Sequence, residues 1–478
     1  MTTKTQSLKI TEIATPFGGT IGISLCPGSI PTNDAKDSQS KHSAARLSDD
    51  LDTIAGWNAA AIVSILEGDE VAGLSLDDFS DAVTRRFMEW HVLPNGLDSK
   101  PVMAMLFSWT DFSEAMRQLL SCGQKVLIHE SIGMEGAATI AAQLLIEMGV
   151  FWSDAVKQAA AGLGHPPDLQ DWSVRVASTK SRPLTPSITI DARQDRAVGA
   201  LLGLAAGDAI GTTLEFTTKP KEPVVYDMVG GGPFQLAAGQ WTDDTAMACA
   251  LAESLLAFPE LNPTDLMHRF VDWYRNGAYS CTGSCFDIGL TTREALERFE
   301  QTGDPLAGSP DPNKSGNGAL MRLSPVAIRL WDDPINLFEA ARLQTMTTHG
   351  SPECIEASLI FADMLADAIA GKPLHEILAG KTTARIKGGW NVHRDQITGS
   401  GYVVQSLQAA VWAVARTTNF RSAVLMAANL GDDADTTAAI AGQFAGAIYG
   451  ASQIPEDWKR KLANRQELTR MAVQLFRQ

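Results

Sequence analysis

Two short runs of carboxylates, far apart in the chain, each lead directly into an Ala-rich apolar stretch of helical period. The first is Gly239-Gln240-Trp241-Thr242-Asp243-Asp244-Thr245. The second is Gly431-Asp432-Asp433-Ala434-Asp435-Thr436-Thr437. Thr or Asp at such a place caps the first backbone N–H groups of a helix, so each run predicts a helix start. A single run of this kind is an ordinary cap. Two oxygen-rich helix starts in one chain point further, to a metal site shared between them, because carboxylate and hydroxyl oxygens are the ligands that hard cations take.

At 478 residues the chain is too long for one typical domain and predicts two or three. With 45% apolar and 20% charged residues it reads as a globular protein. Its formal charge of −16 argues against nucleic acid and anionic membrane as partners, both of which are bound by neutralising phosphates. The six cysteines form no regular framework. Cys281 and Cys285 lie close together in sequence, but no second pair completes a zinc site, so all read as reduced thiols of a cytoplasmic protein. The N-terminus lacks the apolar core of a signal peptide, and no uninterrupted apolar run predicts a membrane span.

Residues 1–175 alternate β-like and helical runs, which predicts an α/β domain. Strands are expected at 20–25, 60–66 and 125–129, and helices at 47–57, 76–88, 112–120 and 139–148. The run 102–107 is apolar but short. A strand, a glycine-containing loop and a helix in that order commonly place an anion at the helix N-terminus. This part resembles dual-specificity-type protein phosphatases, in particular the cyclin-dependent-kinase-associated branch. The resemblance is carried by Gly22-Ile23-Ser24-Leu25-Cys26-Pro27-Gly28, by residues 49–58, by Trp90-His91-Val92-Leu93-Pro94, and by Val126-Leu127-Ile128-His129 leading to Thr139-Ile140-Ala141-Ala142. In that family the strand ends in His-Cys and the loop closes with a phosphate-clamping Arg. Here His129 is followed by Glu130 at the nucleophile position, and Gly136 stands at the arginine position. A carboxylate repels a phosphate, and loss of the guanidinium removes the bidentate clamp. The family's general acid falls at Asn95 or Asp98. The expectation is a phosphatase-like domain without phosphatase activity, serving either as a binding module or as a packing scaffold.

Residues 176–190 have linker composition, with Pro183 and Pro186 among few apolar residues. From 191 to 478 the strand-like alternation gives way to helical runs at 192–209, 245–257, 263–274, 289–298, 336–346, 354–370, 402–417, 420–430, 436–449 and 456–476. These predict an all-α domain. Gly199, Gly203 and Gly207 at helical spacing predict close helix packing.

This second part resembles the ADP-ribosylglycohydrolases, the family of the dinitrogenase reductase-activating glycohydrolase and the vertebrate ADP-ribosyl-acceptor hydrolases. The matching segments, in family order, are residues 197–211 with Leu214-Glu215-Phe216, Trp241-Thr242-Asp243-Asp244-Thr245, and Cys285-Phe286-Asp287-Ile288-Gly289. They continue with Ser315-Gly316-Asn317-Gly318-Ala319-Leu320-Met321-Arg322, Thr348-His349-Gly350, Ser400-Gly401-Tyr402-Val403 and Asp433-Ala434-Asp435-Thr436.

The resemblance implies two Mg²⁺ ions, with Mn²⁺ as a substitute, held by Thr242, Asp243, Asp244, Asp433, Asp435 and Thr436. It implies catalytic roles for Glu215 and Asp435. It also implies an ADP-ribose pocket built from Ser315, Gly316, Asn317, Gly318, His349 and Tyr402, with the N–H groups of 316–318 cradling the pyrophosphate. Asp433 and Asp435 aim at one point from a loop, whereas within a helix they would diverge by about 200°. Asp208 and Asp287 read equally as site supports and as polar contacts in the helix layer. Many members carry Gly-Gly before the second acidic motif, where this chain has Gly431-Asp432. The implied function is Mg²⁺-dependent removal of ADP-ribose from a modified protein or other acceptor by cleavage at ribose C1. The alternatives are a non-catalytic ADP-ribose binder and a metal-dependent phosphohydrolase acting on the pyrophosphate.

Overall fold

The computed structural model describes residues 7–29, 44–66, 76–94, 109–130, 133–161, 163 and 189–478. The chain divides into two compact units, Met1–Leu184 and Thr185–Gln478. The apolar run 102–107, Asn95, Asp98 and residues 176–188 of the expected linker lie outside the described residues.

The first unit runs β1 (Thr11–Ala14), β2 (Thr20–Leu25), α1 (Ala44–Gly56), β3 (Ala59–Leu66), α2 (Leu76–Thr84), β4 (Glu89–Pro94), α3 (Trp109–Ser121), β5 (Lys125–Glu130), α4 (Glu135–Glu147) and α5 (Trp152–Ala160). The sheet has the order β1-β2-β5-β3-β4, with β1 antiparallel and the other pairs parallel. Every residue of β3 is buried, as a parallel strand covered on both faces must be. Side chains alternate between the two cores. Val63, Ile65, Val126 and Ile128 pack in one cluster with residues of α3, α4 and α5, whereas Ile62 and Leu127 pack in the other with residues of α1 and α2. The expected α/β class is observed; β1, β4 and α5 are additional to the sequence reading.

The second unit is helical: α6 (Ile190–Gly211), α7 (Asp243–Ala257), α8 (Pro263–Asn276), α9 (Leu290–Thr302), α10 (Ser324–Leu330), α11 (Pro334–Thr348), α12 (Pro352–Ala370), α13 (Leu374–Leu378), α14 (Val403–Ala415), α15 (Phe420–Ala428), α16 (Ala434–Tyr449), α17 (Glu456–Lys461) and α18 (Arg465–Arg477). Its β pairing among the described residues is limited to the isolated bridges Gly231–Leu236 and Gly316–Tyr402. The single helix expected at 456–476 is two helices, broken where Asn464 takes a left-handed backbone (φ 53°) and Ala463 N donates to Gly239 O at 2.9 Å.

α6 is the spine of this unit. The segment Ile190–Leu214 is long and apolar enough to cross a membrane, although charged residues interrupt its apolar run. However, 94% of the relevant window is buried within the protein, which makes it a core helix. Its glycines lie against α16 with backbone touching backbone. A Cβ on Gly203 would sit 2.1 Å from the Gly442 carbonyl oxygen, one on Gly207 2.0 Å from that of Ala438, and one on Gly446 1.9 Å from that of Gly199. The small residues predicted to allow close packing therefore do so, and they tie the start of α16 to the end of α6.

Candidate active site and metal centre

Asp208, near the end of α6, is fully buried and accepts four hydrogen bonds from the start of α7. The donors are Thr242 N (2.8 Å), Thr242 Oγ1 (2.9 Å), Thr245 N (3.1 Å) and Thr245 Oγ1 (2.6 Å). Thr242 itself makes no capping bond, so the cap expected from the local sequence is supplied by a different helix. α6 thus fixes both acidic helix starts, α7 through Asp208 and α16 through its glycines.

At α16, Asp433 is the N-cap (φ −90°, ψ 63°) and Asp435 lies in the first turn. The two carboxylates were expected to converge from a loop. They do so across a helix boundary instead, because the cap residue lies outside the helical backbone and escapes the helical angular offset. Thr242 Oγ1 lies 3.3 Å from Asp244 Oδ2 and 3.4 Å from Asp435 Oδ2, and Thr436 Oγ1 lies 3.4 Å from Asp244 Oδ2. The six expected metal ligands therefore come from two helix starts that meet. Glu215, just past α6, joins them: oxygens of Glu215, Asp287 and Asp435 fall within 4.8 Å of one another.

Asp287, left open by the sequence, is a member of this cluster, held at φ 58° with its carboxylate beside that of Glu215. Its signal was the Cys-Phe-Asp-Ile-Gly segment, which sequence alone could not connect to the other carboxylates.

The electrostatics are those of a cation site. Burial, reinforced by the Asp435 charge, pushes Glu215 up to about 9. Burial and the Glu215 charge do the same to Asp287, also to about 9. Burial raises Asp208 to about 6 against the pull of its threonine hydrogen bonds. Asp243, Asp244 and Asp435 are raised well above the carboxylate range by burial and by each other's neighbourhood charge. Asp244 Oδ1, Asp435 Oδ1 and Glu215 Oε2 are buried without a hydrogen-bond partner. Buried carboxylates crowded together, with oxygens unused, fit divalent cations.

Above the cluster lies a cavity of about 410 Å³. Its walls include Glu215, Asp243, Asp287, Asp433, Asp435, Thr436, Gly316, Asn317, Gly318 and His349, together with Phe216, Ile288, Leu290, Thr292, Met321, Gly401 and Asp432. Asn317 Nδ2 donates to Asp433 Oδ2 at 2.6 Å, joining the Gly-rich loop to the carboxylates. Burial, aided by the Arg322 charge, holds His349 down at about 3, so the ring is neutral. Gly318 must be small, since a Cβ there would sit 2.8 Å from that ring, and one on Gly316 would be in tight contact with it at 3.3 Å.

Two expectations for the pocket are corrected. Gly316 N and Asn317 N already donate to Lys314 O and Gly401 O, so they do not present a free anion cradle. Ser315 and Tyr402 do not line the cavity. Ser315 Oγ pairs with Ser351 Oγ at 2.8 Å, and the Tyr402 hydroxyl donates to Glu353 at 2.8 Å. Thr242 and Asp244 lie beneath the cavity floor, fully buried.

The other predicted site, the loop after β5, is filled from within. Gly136 N in the first turn of α4 donates to both Glu130 oxygens, at 3.0 and 3.2 Å. A side-chain carboxylate takes the place expected for an anion. His129 Nε2 lies 2.7 Å from Ser64 Oγ.

A model of the ADP-ribosylglycohydrolase family matches residues 189–478. The chain belongs to this family. An ADP-ribosylarginine hydrolase Tri1 from Pseudomonas putida is 44% identical over 61% of this chain and 80% of its own length. The ADP-ribosyl-[dinitrogen reductase] glycohydrolase of Rhodospirillum rubrum is 35% identical over 56% of this chain and 90% of its own length. A solved structure described as an ADP-ribosylglycohydrolase-related protein complex superposes with a TM-score of 0.54 at 41% identity, covering 60% of this chain and 99% of that one. As a member of the ADP-ribosylglycohydrolase family, the chain is a glycosidic ADP-ribosyl hydrolase, and the acidic cavity is its candidate active site.

Proposed function

We propose that the chain is an Mg²⁺-dependent hydrolase that cleaves the bond between ribose C1 of an ADP-ribosyl group and the nitrogen of a modified arginine. The reading rests on one observation above the others: the carboxylates of Glu215, Asp287 and Asp435 converge at the floor of a cavity large enough for a ribose. Similarity to the arginine-directed relative supports the acceptor.

Thr242, Asp243, Asp244, Asp433, Asp435 and Thr436 would hold the ions. When bound, the ions supply positive charge that orients the ribose hydroxyls and a water. Glu215 lines the cavity with one oxygen unpartnered and Asp287 beside it, which makes it the candidate proton carrier. In the reaction the C1–N bond breaks through an oxocarbenium-like state, the water oxygen bonds to C1, and the water proton passes through Glu215 to the departing guanidine. His349, neutral and locked beside the Gly316–Gly318 turn, shapes the wall for the remaining nucleotide.

Asp435→Ala is expected to abolish ADP-ribose release, which is followed by product mass. Normal release by that variant would remove the assignment. Release of AMP would favour the phosphohydrolase, and tight ADP-ribose binding without turnover the non-catalytic binder. The first unit, on its sequence motifs and its self-filled loop, we read as a phosphatase-like module without hydrolytic chemistry of its own.

A further inference from the structure

The cavity has a wall that the nucleotide-directed residues do not explain. Phe216 and Asp432 both line it and are both exposed, Phe216 by 71%. They come from distant parts of the sequence, Phe216 just beyond Glu215 and Asp432 just before Asp433. Their backbones are joined directly: Phe216 N donates to Asp432 O, and Asp432 N donates to Thr217 O, both at 2.7 Å. Both residues sit in the left-handed region, at φ 59° and 60°. Glycine would occupy either position without strain, and a β-carbon there costs conformational energy. Each position therefore keeps a strained side chain at the rim of the active site. Among the described residues, the Asp432 carboxylate makes no hydrogen bond or ion pair.

An exposed aromatic ring and an unpaired carboxylate lining one cavity are the two groups that a planar cation takes. The ring face takes the flat surface of a guanidinium, and the carboxylate takes two of its N–H groups in a bidentate pair. The geometry points to Phe216 and Asp432 as the acceptor subsite, a clamp that reads the guanidinium of an ADP-ribosylated arginine while the carboxylate cluster holds the ribose. This rests on the hydrolase reading above and adds the residues that select the acceptor. The clamp is a specificity device. It leaves the ribose, the carboxylate cluster and the C1 chemistry to other groups, and a neutral serine-linked acceptor gains nothing from it.

The test compares the full-length wild type with Asp432→Asn, Asp432→Gly and Phe216→Leu on two substrates, an arginine-linked and a serine-linked ADP-ribosyl peptide. Asn and Gly both tolerate the left-handed backbone, so neither substitution at Asp432 challenges the fold. Each variant is expected to raise KM for the arginine-linked peptide roughly tenfold, the loss of one charge-assisted or cation–π contact, with kcat within about twofold. KM for any serine-linked turnover, the half-saturating Mg²⁺ concentration and the affinity for free ADP-ribose should not change. Agmatine, as a free guanidinium probe, should inhibit the wild type and lose about tenfold in potency against Asp432→Asn.

Unchanged KM for the arginine-linked peptide in all three variants would overturn the clamp. So would a shifted Mg²⁺ requirement with unchanged KM in Asp432→Asn, which would place that carboxylate with the ions. Absence of wild-type turnover on both peptides would instead overturn the hydrolase reading, and the clamp with it.

Discussion

Asp208 has no place among the expected metal ligands, yet it sets where those ligands stand. Four donors from Thr242 and Thr245 converge on its fully buried carboxylate. Replacing it with Ala would leave those donors unsatisfied in the interior. We therefore expect Asp208→Ala to lose about 3 kcal/mol in urea unfolding. A loss below about 0.5 kcal/mol would mean that the helix start is held in some other way. Sequence named this residue without ranking its two readings, because a carboxylate inside a Gly- and Ala-rich helix looks the same whether it supports a site or merely finds a polar contact. Tyr402 and Ser315 erred the other way. Their motif placed them at the pocket, whereas their hydroxyls are engaged by Glu353 and Ser351.

At the scale of elements, the pairing of α6 with α16 carries the site. Both acidic helix starts are referenced to α6, so a change in the glycine ladder should reach the carboxylates from a distance. The Cβ of Gly203→Ala would fall 2.1 Å from the Gly442 carbonyl oxygen, which the backbone can relieve only by separating the helices. The variant is expected to lose about 2 kcal/mol or more of stability and to need more Mg²⁺ for full activity, as read by thermal melts and Mg²⁺ titration. Unchanged values in both would dissociate packing from site geometry. The helices and their glycine contacts were legible because periodicity and residue size survive in the sequence. Short elements such as β1, α10 and α13 were not, being too brief to show a period. The loop after β5 was half legible. Glu130 and Gly136 were recognised as replacements, but that the new carboxylate occupies the helix start itself depends on how the loop folds back.

For the whole molecule, the cluster couples stability to pH and to metal. The site carboxylates have folded-state values raised above their usual range of about 4, so the folded protein holds more protons than the unfolded chain. That contribution is fully present below about pH 4 and is lost as pH rises through the folded values, about 6 for Asp208 and about 9 for Glu215 and Asp287. The melting temperature of chelator-treated protein should therefore fall between these limits, and added Mg²⁺ should raise it more at alkaline than at acidic pH. A Mg²⁺ effect independent of pH would contradict a site whose charge comes from carboxylates. The helical class of the second unit was readable from period. The grouping of Asp208 and Asp287 with Glu215 and the two acidic runs was not, because it depends on how distant helices meet.

The most direct test is release of ADP-ribose from an arginine-modified protein by enzyme stripped with chelator and then supplied with Mg²⁺. The account predicts no release from the stripped enzyme, recovery on addition of Mg²⁺, and intact ADP-ribose with unmodified arginine as the products. Undiminished release in the presence of chelator, or products cut at the pyrophosphate, would contradict it.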